Sequence, residues 1–497
     1  MKALFSRYSA TAAYNFFLIL LTIGFCCKLN AQTIQYSKQD FKAPYTNAIK
    51  LVANVGVNHH IICLTQNSKL LVYVYSNNLQ LQATKELDYK LAPMSDVNVV
   101  RFKNYYLLYI HQLASDKHEL WKIDADGNST FMSDSFMRLI GKVFTSNTST
   151  LQLKNKDGQL AIVASAYYEN LGKIGSAVIL ADDSLKPVLS RKVFFDFKRS
   201  VEGLRQVTLV GESTVMILKT SRDSAGHLLS IIKADLNTGA VTSNTFNSGV
   251  NRFVDPYFYY NEADSTATIY SKVANTVFFT RLDSQLNEKV PAKVVKTPYK
   301  QMPAFHFLLL RDKKQRWLTL RTGSPVFLST RVSTTVRLYS SLPAYSSGFD
   351  MSGNIINNNV YPSLLNDVGL PNYSNYQNNP DNQQSSIRFS LLDDRFSVLK
   401  DSITLNDKST YNLQPSQFAN LVVHNKSYLF LGQQFGRNRQ GVLMLNDNDK
   451  DELSATDIRV YDKYKYVLSQ MQVVDDKYAL MPYTYKRELG LVKIAVE

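Results

Sequence analysis

LLVYVYSNNLQLQATKEL at 70–87 decides the fold of this chain. Two runs rich in Leu, Val, Tyr and Thr flank a short polar turn, and residues of this kind at that spacing form strands. The phrase returns as ELWKIDADGNSTFM at 119–132, SAVILADDSLKPVLSRKVFF at 176–195 and LLSIIKADLNTGAVTSNTF at 228–246. It returns again as VFFTRLDSQLNEKVPAKVV at 277–295, IRFSLLDDRFSVLKDSITL at 387–405 and VLMLNDNDKDELSATDIRVY at 442–461. A repeat about every 50 residues marks an array of similar units.

Working outward, each unit holds four short strands. In the first these are AIKLVANVG at 48–56, HHIICLTQ at 59–66, KLLVYVYS at 69–76 and LQLQATKEL at 79–87. The second run of most units is nearly all apolar, as a strand covered on both faces requires, and the fourth alternates with polar residues. No long amphipathic helical pattern competes after Gln32. The expected class is all-β: a β-propeller of four-stranded antiparallel blades. Three C-terminal runs, YVLSQMQVV, KYALMPYTY and LGLVKIAV, lack a fourth, and TIQYSKQDF at 33–41 is unmatched at the other end. Pairing 33–41 with 489–496 closes the ring and removes exposed strand edges. This count predicts eight blades, with seven and nine as the alternatives.

The repeat breaks once. MPAFHFLLL and RWLTLRTG supply two strands of a sixth unit, IRFSLLDD and FSVLKDSITL the other two, and 324–386 lies between them. Much of it is rich in Asn, Gln, Ser, Pro and Tyr, a composition that builds no core. It reads as a long insertion within a single domain over 32–497.

Residues 1–31 read as a signal peptide. Lys2 and Arg7 precede an apolar run from Phe16 to Cys27, too short to span a bilayer comfortably, and Ala31 offers a cleavage site. An uncleaved anchor and a lipoprotein are the alternatives; Phe25 before Cys26 argues against the second. Periplasm, outer-membrane surface and extracellular space are the expected locations. Beyond the leader only Cys63 remains, within an apolar run, so neither an intrachain disulfide nor a zinc site built on several cysteines is available. The net charge of +15 is scattered, with one short cluster at 311–316. No basic stripe with interleaved aromatics argues for nucleic acid. Weak association with anionic envelope surfaces fits the charge.

Chemistry is scarce in the sequence. The seven histidines form no close ligand motif, and His59-His60 is expected to point to opposite faces of a strand. Asp124, Asp126 and Asn128, and Asp447, Asp449 and Asp451, alternate as calcium loops do. Neither has the turn Gly or the closing Glu, and both fall where a hairpin needs Asp and Asn anyway. Calcium at Asp447, Asp449 and Asp451 is the one cofactor expectation. The pairs Asp182-Asp183, Asp393-Asp394 and Asp475-Asp476 also lie at turns. G-x-S-x-G is absent.

On its repeats the chain resembles β-propeller repeat proteins in general, of the secreted bacterial type. Asn155-Lys156-Asp157-Gly158 approaches the turn of sialidase-like propellers but lacks its Thr-Trp ending, and no named family is matched by a specific motif. The functional expectation is a secreted or cell-envelope module that binds a protein or polysaccharide. Tyr361, Tyr373, Asn375 and Tyr376 of the insertion are the expected contacts, because loops on rigid scaffolds carry binding. A carbohydrate-active hydrolase or lyase with its site at the ring axis, and a scaffold component of a surface assembly, are the alternatives.

Overall fold

The structure is a computed structural model. It describes residues 34–37, 46–65, 69–90, 95–112, 117–140, 148–198, 200–211, 213–224, 226–249, 251–261, 264–273, 276–296, 305–309, 317–322, 387–393, 395–404, 412–423, 426–435, 439–448, 452–458, 464–475, 477–485 and 488–496. The leader and 324–386, with Tyr361, Tyr373, Asn375 and Tyr376, lie outside the described residues, as do Asp449, Asp451 and the basic cluster at 311–316.

Each repeat unit is one antiparallel sheet whose strands pair in chain order. Thr46–Val55, Asn58–Thr65, Lys69–Ser76 and Leu81–Lys90 make sheet 1. Sheets 2 to 7 follow over 95–131, 148–196, 202–247, 253–296, 305–404 and 412–458. In sheet 6 the strand Trp317–Thr322 pairs directly with Ile387–Leu392, so the insertion joins the second and third strands. Sheet 8 mixes the two ends of the chain: Ile34–Tyr36 lies antiparallel on Glu488–Ala495, with Ile34 opposite Ile494. The expected closure is thereby formed.

Side chains leave alternate faces of each strand, so every sheet offers an apolar face to both neighbours. Val52, Ile62 and Val74 of sheet 1 pack with Val97, Tyr106 and Leu108 of sheet 2. Similar buried clusters join sheet 2 to 3, 3 to 4 and 4 to 5. Phe279 of sheet 5 stacks on Phe396 of sheet 6 at 4.7 Å. Phe430 of sheet 7 packs with Tyr464 and Met481 of sheet 8, and Leu480 and Leu491 of sheet 8 pack with Leu51, Ile61 and Cys63 of sheet 1. From sheet 7 the series runs through sheet 8 back to sheet 1. The protein is an all-β propeller, and the described residues form eight sheets.

The recurring turn explains the repeat phrase. At Asp182 one carboxylate oxygen accepts the N–H of Ser184 and of Lys186, at 3.0 and 2.8 Å. Asp124, Asp283 and Asp393 each bind the second and fourth following N–H groups in the same way. The residue three after the Asp is left-handed: Leu185 at φ 61°, Leu286 at 65°, Phe396 at 60°, and Gly127 at 81°. Leu79 repeats this conformation at φ 58° in a turn that begins with Ser76. That conformation costs a non-glycine residue about 1–2 kcal/mol. Burial offsets it, because Leu79, Leu185, Leu286 and Phe396 are all buried against the preceding sheet, and burying such a side chain is worth about 1.5–3 kcal/mol. In sheet 2 there is no room for a side chain, since a Cβ on Gly127 would lie 2.7 Å from Val74 of sheet 1.

Two segments depart from the expected strands. The fourth strand of sheet 2 stops after Ser129–Phe131, and Ser133–Ile140 turns into a short helix. Phe136, Leu139 and Ile140 share one helical face and are buried between sheets 2 and 3, while the Ser133 hydroxyl accepts the N–H of Leu120 at 2.9 Å. The helix thus covers the third strand where the fourth is missing. The run at 466–474 is also not one strand. Lys465–Tyr466 and Gln472–Val473 pair with the next strand, separated by a 3₁₀ turn at Leu468–Gln470.

Candidate binding cleft at the inner turns of sheets 1 to 3

In sheets 1 to 7 the first strand is an edge strand, and those of sheets 2 and 3, and of sheets 4 and 5, meet each other. They form the inner wall of the ring. Among the described residues no ladder joins them; side chains bridge to the neighbouring backbone. Gln206 donates to Phe258 O and accepts from Phe258 N, both at 3.0 Å. Gln472 treats Leu51 O and Ala53 N in the same manner, at 2.6 and 3.0 Å.

Where the first strands of sheets 1, 2 and 3 turn into their second strands, the turns lock together. Gly56 N donates to Lys103 O at 2.8 Å, Asn155 Nδ2 to Arg101 O at 2.8 Å, and Arg101 Nη1 to Ala53 O at 2.9 Å. Asn54 Nδ2 extends the chain of bonds to Val474 O of sheet 8 at 2.6 Å. Gly56 occupies the left-handed region at φ 62°, which lets the turn make this approach. Between the turns lies a cleft of about 290 Å³ lined by Asn54, Gly56, Arg101, Phe102, Lys103 and Asn155.

The cleft is basic. Arg101 is half-buried, Lys103 is exposed, and no carboxylate among the described residues pairs with either. Burial of the Arg101 guanidinium draws its pKa below the usual arginine value. The nearby acids are engaged elsewhere: Asp124 holds its own turn, and Asp157 pairs with Lys156 at 3.2 Å. Phe102 is buried and stacks on Tyr105 at 4.6 Å, fixing the floor of the turn. The described first-strand side chains of sheets 1 to 4 carry Lys50, Arg101, Lys154, Lys156 and Arg205, against one acid, Glu202, which pairs with Lys219 at 2.8 Å.

Of the described residues singled out from sequence, Asn155 lines this cleft, and the histidines and turn aspartates do not. His59 and His60 leave opposite faces of their strand and are buried. His60 Nε2 lies 2.9 Å from Ala125 O, and His59 Nδ1 accepts the N–H of Asn54 at 3.2 Å. Burial lowers both imidazole pKa values, that of His59 to about 4. Asp447 lies in the strand Arg439–Asn448, opposite Leu453. Asp182 and Asp393 brace turns, and Asp475 accepts the N–H groups of Lys477 and Tyr478, both at 2.8 Å. Among the described residues no three His, Cys, Asp or Glu side chains gather as metal ligands would. Cys63 is fully buried and its thiol pKa is pushed up.

Arg101, Lys103 and Asn54 escaped sequence reading, and Asn155 stood out there only for its likeness to a sialidase-type turn. The available signal was a polar or glycine turn at the same phase of three successive units: NVGVN at 54–58, RFKN at 101–104 and NKDG at 155–158.

No protein-family model matches the chain, and no curated protein matches it. Solved structures similar to it include the Pyrococcus horikoshii acylaminoacyl peptidase, at 9% identity and TM-score 0.36 over 78% of this chain and 49% of that one. The Synechocystis apocarotenoid oxygenase is similar at 12% identity and TM-score 0.32, over 52% of this chain and 63% of the other. The β-propeller domain of Vanderwaltozyma polyspora Nup133 is similar at 13% identity and TM-score 0.30, over 52% and 76%. The chain spans about half the length of the peptidase. At such identities the likeness says nothing of activity or ligand. What the sheets define is a class, the β-propeller. No helix among the described residues is long and apolar enough to cross a membrane.

Proposed function

We propose that this protein is an exported β-propeller that serves as a binding module, engaging a protein or polysaccharide of the cell envelope or its surroundings. The observation that carries this reading is the cleft at the inner turns of sheets 1 to 3, a preformed polar concavity on a rigid wall. The charge of that wall supports binding over glycosidic acid–base chemistry, which needs two carboxylates facing one bond. The insertion, with Tyr361, Tyr373, Asn375 and Tyr376, adds a second contact surface in this proposal. Fold alone selects no activity, because propellers host unrelated functions.

The test is retention of the purified chain on envelope polysaccharide and on intact cells of its source. Deleting 345–386 should leave the thermal unfolding midpoint in place and abolish retention. Retention equal to that of the parent would remove the insertion from the binding surface. Release of reducing sugar from the polysaccharide would replace the binding reading with the hydrolase one.

A further inference from the structure

We propose that the cleft between the inner turns of sheets 1, 2 and 3 binds an oxyanion, the carboxylate, sulfate or phosphate group of a ligand, with Arg101 and Lys103 as its cationic contacts. This rests on the reading of the ring as a binding module and adds the chemistry it recognises.

Arg101 carries the argument. A guanidinium offers five donors in a planar fork matched to the oxygens of a carboxylate or phosphate. Among the described residues it makes one hydrogen bond, from Nη1 to the neutral carbonyl of Ala53. A half-buried cation without an anionic partner is poorly solvated, and an anion entering the cleft restores what burial removed. Lys103 stands two residues along at the exposed end of the same turn, outside any ion pair of the described residues, so a second positive charge faces the cleft from the solvent side.

The surrounding groups are held in place before any ligand arrives. The amide of Asn54 is tied to Val474 O. That of Asn155 is tied to Arg101 O and accepts Gly158 N at 2.9 Å. Such bonds fix rotamers and reduce the ordering cost of binding. A volume of about 290 Å³ is enough for one small charged group, whether it belongs to a larger ligand or is a free small anion.

Titration of the full chain with sodium sulfate, inorganic phosphate and galacturonate, at ionic strength held constant with chloride, tests this by calorimetry. Saturable binding of at least one anion is expected, and the anion that binds identifies the group. Lys103→Gln breaks no hydrogen bond of the fold and should weaken binding at least fivefold. Arg101→Gln should weaken it at least tenfold. Lys186→Gln, on an exposed turn of sheet 3, should bind as the parent does. Absence of saturable binding for all three anions overturns the proposal, as does parental affinity in a Lys103→Gln protein with an unchanged unfolding midpoint. Failure here leaves retention on polysaccharide and its loss on deleting 345–386 untouched, so the two readings fail separately.

Discussion

Gln472 and Ala53, 419 positions apart, are joined by a hydrogen bond of 3.0 Å from the Ala53 N–H to the Gln472 side-chain oxygen, while the same amide donates to Leu51 O at 2.6 Å. This two-point clamp fastens the last sheet to the first. Gln472→Ala leaves a buried N–H and a buried C=O unsatisfied, which costs about 2–4 kcal/mol. Gln472→Glu is expected to be worse, because a carboxylate cannot donate to Leu51 O. Urea unfolding of the two variants checks this, and a loss below about 0.5 kcal/mol would show that the clamp contributes little to ring stability.

Gln206 makes the same clamp on Phe258 within the continuous part of the ring. Gln206→Ala should cost a similar amount in stability. Its effect on proteolysis should differ: weakening the Gln472 clamp exposes the chain termini first, whereas weakening that of Gln206 opens sheets 4 and 5. Limited proteolysis followed by mass mapping of the first cuts distinguishes the two.

The left-handed turn residues give a reversal of the usual order of substitutions. Leu286 is buried at φ 65°. Leu286→Ala keeps the backbone strain and loses the packing, for about 2–4 kcal/mol. Leu286→Gly also loses the packing but relieves the strain, so it should be more stable than the alanine variant by about 1 kcal/mol. Alanine proving the more stable of the two in thermal unfolding would contradict a left-handed conformation at this position.

Gly127 and Gly158 separate strain from crowding. Both have positive φ, at 81° and 87°, but a Cβ at Gly127 would sit 2.7 Å from Val74 Cγ2 whereas one at Gly158 meets nothing within 4 Å. Gly158→Ala should cost about 1 kcal/mol, the backbone contribution alone. Gly127→Ala should cost at least twice as much, because the sheet 1 to sheet 2 interface must also yield. Denaturant midpoints of the two variants supply the comparison.

Lys50 sets a pH dependence. It is buried on the inner strand of sheet 1, and burial lowers its pKa to about 7. Between that value and its unfolded pKa of 10.5 the unfolded chain holds a proton that the folded chain does not, so stability from this group rises with pH across that window. Below about pH 7 the full cost of the buried charge is present. Lys50→Met should therefore stabilise the protein at neutral pH, on the order of 2–4 kcal/mol, and by less at pH 9. His59, with its pKa lowered to about 4 from 6.5, opposes folding in the acid range, where stability should fall between those two values. Stability curves of parent and Lys50→Met from pH 5 to 9 resolve the two contributions; a pH-independent gain in the methionine variant would reject the assignment to Lys50.

Strand runs, turns and ring closure were legible in the chain because each is a local pattern: period-two alternation, a short turn of Asp, Asn, Ser or Gly between two strands, an unmatched run at each end. Even the helix at Ser133–Ile140 leaves a trace in Phe136, Leu139 and Ile140, though eight residues carry too little periodicity to outweigh the repeat. The buried left-handed turn residues are different. Asp283-Ser284-Gln285-Leu286-Asn287 reads as a polar turn with one stray leucine, and only the neighbouring sheet makes that leucine buried and left-handed. The cleft is further still from the sequence. Asn54, Arg101 and Asn155 are separated by one repeat each, and every one of them reads as an ordinary turn residue in its own unit. Closing the sheets around an axis sets those turns side by side, half-buries one guanidinium and leaves two cations without an acid among the described residues. Electrostatics and burial depend on distance in space, and for residues a whole blade apart that distance exists only once the ring has formed.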